Sequence, residues 1–197
     1  MILSVSRRTD IPNYYSEWFI NRLREGYLYV RNPMNIHQIS KIALSPQVVD
    51  CIVFWTKNPL PMLDKLEELK AYHYYFQFTL TGYGRDIEPK LPDKRTQMIP
   101  IFRSLSSKTG KERVIWRYDP IFFTHRYTAE YHVRAFREIA EALRGYTDKV
   151  VISFIDMYAK TKKNMKGIPV LDLEKSKFFE FVSELSAIAK ENGMKIA

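Results

Sequence analysis

The sequence predicts an α/β fold built on a parallel sheet, and three observations support this. Apolar runs of strand length alternate with stretches of helical period along the whole chain, which is typical of repeated βα units. Short polar segments follow the strand-like runs, where the carboxyl ends of parallel strands would lie. The chain has 197 residues, of which 46% are hydrophobic and 14% aromatic, so it can bury a sizeable core. One domain over residues 1–197 is therefore expected.

Six strands are predicted from short runs of apolar, β-branched and aromatic residues. They cover residues 2–6, 50–55, 74–80, 112–117 and 149–155, with the start of a sixth strand at 194–197. Residues 27–32 predict an extra short strand, whereas residues 32–48 predict an irregular insertion.

Five helices are predicted between these strands from apolar residues at helical spacing and from capping residues. The first covers about 14–25 and ends at Gly26, and the second follows Asn58 and Pro59 and buries Leu63, Leu66 and Leu69. The third covers about 93–106, and the fourth runs from Thr128 to Gly145. The fifth is capped by Asp172 and ends before Gly193. Each apolar stripe predicts packing against the sheet.

The succession of βα units predicts a partial TIM-like (β/α) barrel of about six parallel strands in chain order. A closed barrel of this kind has eight strands and typically about 250 residues. The final residues, MKIA, begin an apolar strand and stop, which would leave an exposed sheet edge. We therefore expect a domain truncated at its C-terminus; the alternative is that another chain covers this edge in an oligomer.

Charge and composition narrow the function classes. The chain has 31 Lys and Arg against 22 Asp and Glu, a net charge of +9, which favours anionic partners such as phosphorylated metabolites, nucleotides or nucleic acid. A lysine-rich surface without such a partner is the alternative. The N-terminus MILSVSRRTD is too short in apolar residues for a signal peptide, and no apolar run approaches the roughly 18 residues of a membrane span. We therefore expect a cytoplasmic protein with no membrane partner.

Polar segments after five of the strand-like runs predict one composite site. Alternation along a strand puts Gln77, Thr79 and Thr81 on one face, and it puts Arg117 and Asp119 on a common face of another strand. Because parallel connections return the chain to the same side of the sheet, we expect the residues at the strand ends to converge in one pocket.

The predicted pocket binds a small anionic ligand, since guanidinium groups match the geometry of phosphate and carboxylate. Asp10, Asp119 and Asp156 are the candidate catalytic acids, bases or orienting groups. The candidate binding residues are Arg7, Arg8, Lys57, Asn58, Thr79, Thr81, Glu88, Arg117 and Ser153. The alternative is an internal network in which Asp10 and Asp119 neutralise Arg8 and Arg117.

Cofactor signals in the sequence are weak. The four histidines lack HxxxH or HExxH spacing, which argues against a zinc site. Cys51 is the only cysteine, so the chain can form neither an internal disulfide nor a cysteine-ligated cluster. The lysine-rich segment 160–166 keeps nucleic-acid binding or processing open as a second function, and a noncatalytic interaction protein is a third.

Six motifs in this order resemble a prokaryotic family, the domain-of-unknown-function family numbered 1848. They are SRRTDIP (6–12), VRNP (30–33), FWTKNP (54–59), TGYGRDIEP (81–89), WRYDPI (116–121) and SFIDMY (153–158). The resemblance spans essentially the whole chain.

The resemblance implies longer proteins with a C-terminal cysteine cluster like the iron–sulfur cluster of radical S-adenosylmethionine enzymes. Because Cys51 cannot replace that cluster, we expect no cofactor in this chain and no radical chemistry from it alone. The resemblance thus implies the scaffold and binding part of such an enzyme, acting on an anionic substrate, with an iron–sulfur cluster and S-adenosylmethionine possible in the full-length protein.

Overall fold

The structure is a computed structural model that describes residues 1–6, 8–156, 161, 163, 165 and 167–197. These residues form two compact units, Met1–Gln77 and Phe78–Ala197. The single domain that the sequence predicts over residues 1–197 stays a prediction.

The first unit contains two parallel strands and an antiparallel hairpin. In chain order, its elements are β1 (Ile2–Val5), α1 (Ile11–Tyr14), α2 (Ser16–Glu25), β2 (Tyr27–Arg31), β3 (Ile39–Ala43) and β4 (Cys51–Thr56). Strand β4 pairs in parallel with β1, so that Ile2 lies opposite Cys51. Strands β2 and β3 pair with each other as the hairpin.

The first predicted helix is confirmed at its end and divided near its start. Gly26 ends α2 with a left-handed φ of 77°, and its N–H donates to the carbonyls of Arg22 and Leu23 at 3.1 Å. The division falls at Tyr15, whose φ of −138° lies outside the helical range. Two short helices with their own caps therefore replace one longer helix.

Two predictions for the first unit are wrong. The insertion at 32–48 contains β3, which alternation did not reveal because most of its side chains are exposed on both faces. The helix predicted after Asn58 is instead a pair of 3₁₀ turns, Leu60–Met62 and Leu66–Leu69. Its apolar residues recur at every third position, which matches the period of a 3₁₀ helix better than the 3.6 residues of an α-helix.

The second unit continues the alternation of strands and helices. Its elements are β5 (Tyr74–Thr79, which contains the boundary between the units), a π turn (Lys94–Met98), α3 (Ile99–Thr109), a 3₁₀ turn (Lys111–Arg113), β6 (Val114–Ile121), α4 (Ala129–Leu143), β7 (Lys149–Phe154), α5 (Lys175–Glu191) and β8 (Lys195–Ile196). None of the helices in the described part of the chain combines the length and apolar character needed to cross a membrane.

Aromatic side chains attach the helices of the second unit to its strands. Trp116 of β6 stacks on Phe136 of α4 with ring centroids 4.6 Å apart, and Phe78 of β5 lies 5.0 Å from Phe102 of α3. Both pairs belong to apolar stripes that the sequence predicts as core.

The helix boundaries of the second unit are confirmed at one end and shifted at others. Thr128 caps α4 by accepting a hydrogen bond from the Tyr131 N–H, as predicted. The helix ends at Leu143, with Arg144 rather than Gly145 at the C-cap. Helix α5 begins at Lys175 instead of directly after Asp172, and its N-cap residue makes no side-chain capping bond.

The main sheet is parallel, with the strand order β1-β4-β5-β6-β7-β8. All six predicted strands are therefore confirmed, and their order shows no reversal of the kind found in doubly wound sheets. The sheet is not closed, so the TIM-like barrel is not confirmed. The expectation that every connection is a βα unit is wrong, because the hairpin follows α2 and only 3₁₀ turns follow β4.

Candidate functional site

Asp10 lies in the loop after β1 and binds backbone amides. One carboxylate oxygen accepts a hydrogen bond from the Asn13 N–H at 3.1 Å, which caps α1, and the other accepts from the Lys57 N–H at 2.7 Å. Burial raises the pKa of Asp10, and the hydrogen bonds to Lys57, Thr56 and Asn13 oppose that rise. Asp10 thus joins the loop after β1 to the carboxyl end of β4.

Arg8 and Asn58 also make local backbone contacts. The Arg8 guanidinium donates to the carbonyl of Arg31 at 2.8 Å, so Arg31 rather than Asp10 is its hydrogen-bonding partner in the described part of the chain. The Asn58 side chain accepts from the Leu60 N–H at 3.2 Å and starts the first 3₁₀ turn. Arg7, a candidate binding residue, lies outside the described residues.

Arg117, Asp119 and Ser153 form one hydrogen-bonded group on β6 and β7. One oxygen of Asp119 accepts from Arg117 Nε at 3.0 Å and also from Arg117 Nη2. The other oxygen accepts from the Ser153 hydroxyl. The parallel register sets Tyr118 opposite Ile152, which brings the next residues of both strands together. The side chains of Arg117 and Asp119 remain 13% and 21% exposed.

Thr81, Glu88 and Lys94 form a second polar group after β5. The Thr81 hydroxyl donates to Glu88 Oε2 at 2.8 Å, and Lys94 Nζ donates to the same oxygen at 2.5 Å. Lys94 also donates to the carbonyl of Tyr83. The side chains of Glu88 and Lys94 are 6% and 18% exposed, so the carboxylate is buried and the lysine is only partly buried. Thr81 and Lys94 line a cavity of about 610 Å³ that Ile99 and Arg103 of α3 also border.

Two residues that the structure places in polar networks were not predicted as site residues. Lys94 was missed because it follows no strand; it lies in the π turn directly after the capping residue Asp93. His132 was missed because it lies on the buried face of α4, where it precedes Phe136 by one turn. That spacing was a signal for a core position.

His132 is a buried neutral imidazole. Its Nε2 lies 3.0 Å from the carbonyl of Phe122, and its Nδ1 lies 2.8 Å from the hydroxyl of Tyr118. A carbonyl can only accept, so Nε2 carries the proton and Nδ1 accepts from Tyr118. Burial lowers the pKa of His132 to about 4. The ring therefore stabilises the aromatic core of the second unit.

The remaining candidate residues divide between the two units. The unit Met1–Gln77 contains Arg8, Asp10, Lys57 and Asn58. The unit Phe78–Ala197 contains Thr79, Thr81, Glu88, Arg117, Asp119, Ser153 and Asp156. Thr79 is half-buried at the end of β5, and Asp156 is exposed just beyond β7. The convergence of both sets in one pocket stays a prediction.

The residues of this chain do not fit an iron–sulfur cluster. Such a cluster needs several thiolates, and Cys51 is the only cysteine. Cys51 is partly buried in β4, and burial raises the pKa of its thiol, which disfavours the thiolate that binds metals. In the described part of the chain, no group of three or more His, Cys, Asp or Glu residues is arranged to hold a metal ion.

Comparison with known proteins gives one match. The model of a family described as a domain of unknown function, DUF1848, matches residues 2–197. No curated protein and no solved structure matches the chain. The match covers all of the strands and helices described above, so it agrees with the resemblance drawn from the six sequence motifs.

Proposed function

The chain belongs to the DUF1848 family, and from that premise we propose that it binds a small anionic ligand at the carboxyl ends of β6 and β7, as the substrate-binding part of an enzyme. The ligand carries a phosphate or carboxylate group. Arg117 is its binding residue, Asp119 is a positioning residue, and Ser153 fixes Asp119 from the neighbouring strand.

The arrangement of Arg117, Asp119 and Ser153 carries this proposal. Both ionised groups lie on a strand of a parallel sheet, where removal from water is costly unless the charges are paired. Asp119 offsets that cost, and because it accepts from two nitrogens of the guanidinium, it also fixes the orientation of the group. A guanidinium held in this way, and still 13% exposed, suits the binding of an oxyanion.

The location of the group supports the same conclusion. In α/β proteins with parallel strands, ligands bind beyond the carboxyl ends of the strands. Asp119 lies in the C-terminal half of β6, Arg117 is the fourth of its eight residues, and Ser153 is the last residue but one of β7. The pair of Glu88 and Lys94 is less suited to bind a ligand, because the lysine already donates to the Thr81 hydroxyl and to the carbonyl of Tyr83.

The proposal concerns ligand binding, and no step of it uses an iron–sulfur cluster. A radical S-adenosylmethionine-like activity is implied only by the family resemblance, and the single cysteine of this chain does not support it. The chemical step is assigned to carboxylate acid–base chemistry, for which the exposed Asp156 is the candidate group.

Calorimetric titration with inorganic phosphate and with a small carboxylate at low ionic strength tests the proposal. The double variant Arg117→Ala/Asp119→Ala removes both charges, so it leaves no unpaired ion in the sheet. We expect phosphate binding to weaken by about tenfold or more in this variant, because a charge-assisted hydrogen bond contributes about 1.5–3 kcal/mol. Arg137→Ala is the matched control, since Arg137 is an exposed arginine of the same unit paired with Glu191.

Either of two results would contradict the proposal. One is an absence of measurable anion binding by the wild-type chain; the other is equal binding by the double variant and the wild type, with unchanged circular dichroism in both. A strong preference for an oligonucleotide over phosphate would favour the nucleic-acid alternative. The structure gives that alternative less support, because several exposed cations pair with carboxylates, as in Arg95–Glu138, Lys111–Asp148 and Arg126–Asp86.

A further inference from the structure

The first unit contains a groove that the anion site does not use. It has a volume of about 450 Å³, within the range of small-molecule sites, and residues of β1, α2 and the β2–β3 hairpin line it. We call it the hairpin groove. Its apolar lining includes Leu3, Val5, Phe19, Leu28 and Ile42. This lining is typical of pockets that bind the apolar part of a ligand.

Two aromatic side chains line the hairpin groove and remain accessible to solvent. Trp18 of α2 is 45% exposed, and Tyr29 of β2 is 62% exposed. More than half of the Trp18 side chain is covered by the unit, and the rest of the ring remains open at the groove. Exposed aromatic rings at a groove provide a surface on which a planar ring can stack.

The charged residues that line the hairpin groove have one sign. Arg8 and Arg31 are exposed there, and none of the described residues lining the groove is Asp or Glu. Other cations of the same unit are paired, for example Arg24 with Glu68. The Arg31 guanidinium has no ion pair within the described residues, and Arg8 is held by its bond to the Arg31 carbonyl. The groove is therefore complementary to an anion.

Strand β1 and the loop after it add hydroxyl groups and a strained residue to the lining. Ser4, Ser6 and Thr9 all border the groove. Ser6 has a φ of 83°, a left-handed conformation that is costly for a residue other than glycine. Its hydroxyl accepts a hydrogen bond from the Ile11 N–H at 3.1 Å, which holds the loop in this shape. Strain of this kind is typical of loops that bind ligands.

We propose that the hairpin groove binds a nucleotide. The base stacks on Trp18 and Tyr29, the sugar hydroxyls bond to Ser4 and Thr9, and the phosphate binds Arg8 and Arg31. A planar ring joined to a polar sugar and a phosphate matches the aromatic, hydroxyl and cationic groups that line this one cavity. A free nucleotide fits better than a nucleic-acid strand, because the groove has the volume of a single small-molecule site and offers two arginines.

Calorimetric titration with adenosine 5′-monophosphate tests the nucleotide site, with adenosine and inorganic phosphate as partial ligands. We expect Arg31→Ala to weaken binding of the nucleotide by about tenfold or more and to leave binding of adenosine unchanged. Trp18→Ala should weaken the binding of both the nucleotide and adenosine by about tenfold, because the base loses its stacking surface, and Trp18→Phe should restore most of the binding. Both positions are exposed, so these variants are expected to fold.

Matched controls come from the same unit. Arg24→Ala removes an exposed arginine of α2, and Tyr14→Ala removes an exposed aromatic ring of α1; neither residue lines the groove. Both should bind the nucleotide as the wild type does. The variant Arg117→Ala/Asp119→Ala should also retain nucleotide binding, so failure at the anion site and failure at this groove are distinguishable.

Four results would overturn the nucleotide proposal. They are no binding of the nucleotide by the wild type, binding of phosphate as tight as that of the nucleotide in the variant Arg117→Ala/Asp119→Ala, equal nucleotide affinity in Arg31→Ala and the wild type, and much tighter binding of a short adenosine oligonucleotide. Analytical ultracentrifugation tests whether a second copy of the chain occupies the groove instead. A dimer that Trp18→Ala converts to monomer would assign the groove to a second copy of the chain.

Discussion

His132 shows how a single buried residue makes stability depend on pH. Its pKa of about 4 in the folded chain lies below the ordinary value of 6.5, because burial disfavours the imidazolium. Between these two pH values the unfolded chain binds the proton more tightly than the folded chain does. The contribution of His132 to stability is therefore complete above about pH 6.5 and is lost as the pH falls toward 4.

We expect this group to lower the free energy of unfolding by up to about 3 kcal/mol across that interval. Urea denaturation at a series of pH values between these limits measures the effect. His132→Gln keeps a neutral polar side chain without the titration, so its stability should change less steeply with pH than that of the wild type. An identical pH profile in both proteins would show that another group is responsible.

Candidate site residues were predicted from the sequence because they lie on or directly after predicted strands, so polar residues elsewhere could not be predicted in this way. Alternation places Arg117 and Asp119 on one face of β6, and their ion pair confirms that they lie together. Lys94 and His132 follow no strand, so the same reasoning missed them. The backbone bonds of Asp10 were also unpredicted, since they depend on the loop conformation that brings the Lys57 N–H to it.

Two glycines are required for different physical reasons, one for its backbone conformation and one for a close contact. Gly26 ends α2 with a φ of 77°, and a Cβ there would have no atom within 4 Å. A Cβ on Gly82, after β5, would lie 2.6 Å from Ala135 Cβ of α4 and 3.0 Å from the Tyr118 hydroxyl. The first glycine is needed for its backbone conformation, whereas the second is needed for the close contact with α4.

We expect Gly26→Ala to lower the free energy of unfolding by about 1 kcal/mol, which is the cost of the left-handed conformation for alanine. Gly82→Ala should cost more, about 1–3 kcal/mol, because α4 has to move or the loop has to shift. Thermal and urea unfolding of the two variants beside the wild type gives the comparison. A smaller loss for Gly82→Ala than for Gly26→Ala would contradict the close approach of α4.

Elements with a strong hydrophobic pattern could be predicted from the sequence, and those that depend on partner strands or short turns could not. The six sheet strands are dense in apolar residues, so their positions were predicted to within a few residues. Strand β3 is mostly exposed, and only its pairing with β2 identifies it as a strand. The turns after β4 have leucines at a spacing close to that of a helix, which made the wrong prediction plausible.

At the scale of the whole molecule, the number of cysteines limits the chemistry of this chain. Anaerobic incubation with ferrous iron and sulfide, followed by desalting, should leave a colourless protein, because one thiol cannot hold a cluster. Iron and labile sulfide assays measure the result. Cys51→Ala should behave as the wild type does, and a coloured wild type with stoichiometric iron would contradict the prediction.

The order of strands in the sheet could be predicted, because parallel strands joined by short connections tend to be neighbours. The prediction of a barrel also required the sheet to close. Closure depends on the tilt and stagger of the strands, and the hydrophobic pattern gives no information about either. The same limit applies to the candidate site. Charge and strand position indicated which residues to consider, but the hydrogen bonds of Asp119 required the register of β6 and β7.

The parallel pairing of β1 with β4 has a consequence for the way the chain acquires its structure. Ile2 cannot meet Cys51 until the whole intervening segment has been synthesised, whereas β2 and β3 are joined by a short loop. Closing a long loop costs more entropy than closing a short one, so local pairings form faster. During translation, the hairpin and α2 are expected to form while β1 is still unpaired, so the first strand of the sheet is incorporated only after β4 has been synthesised.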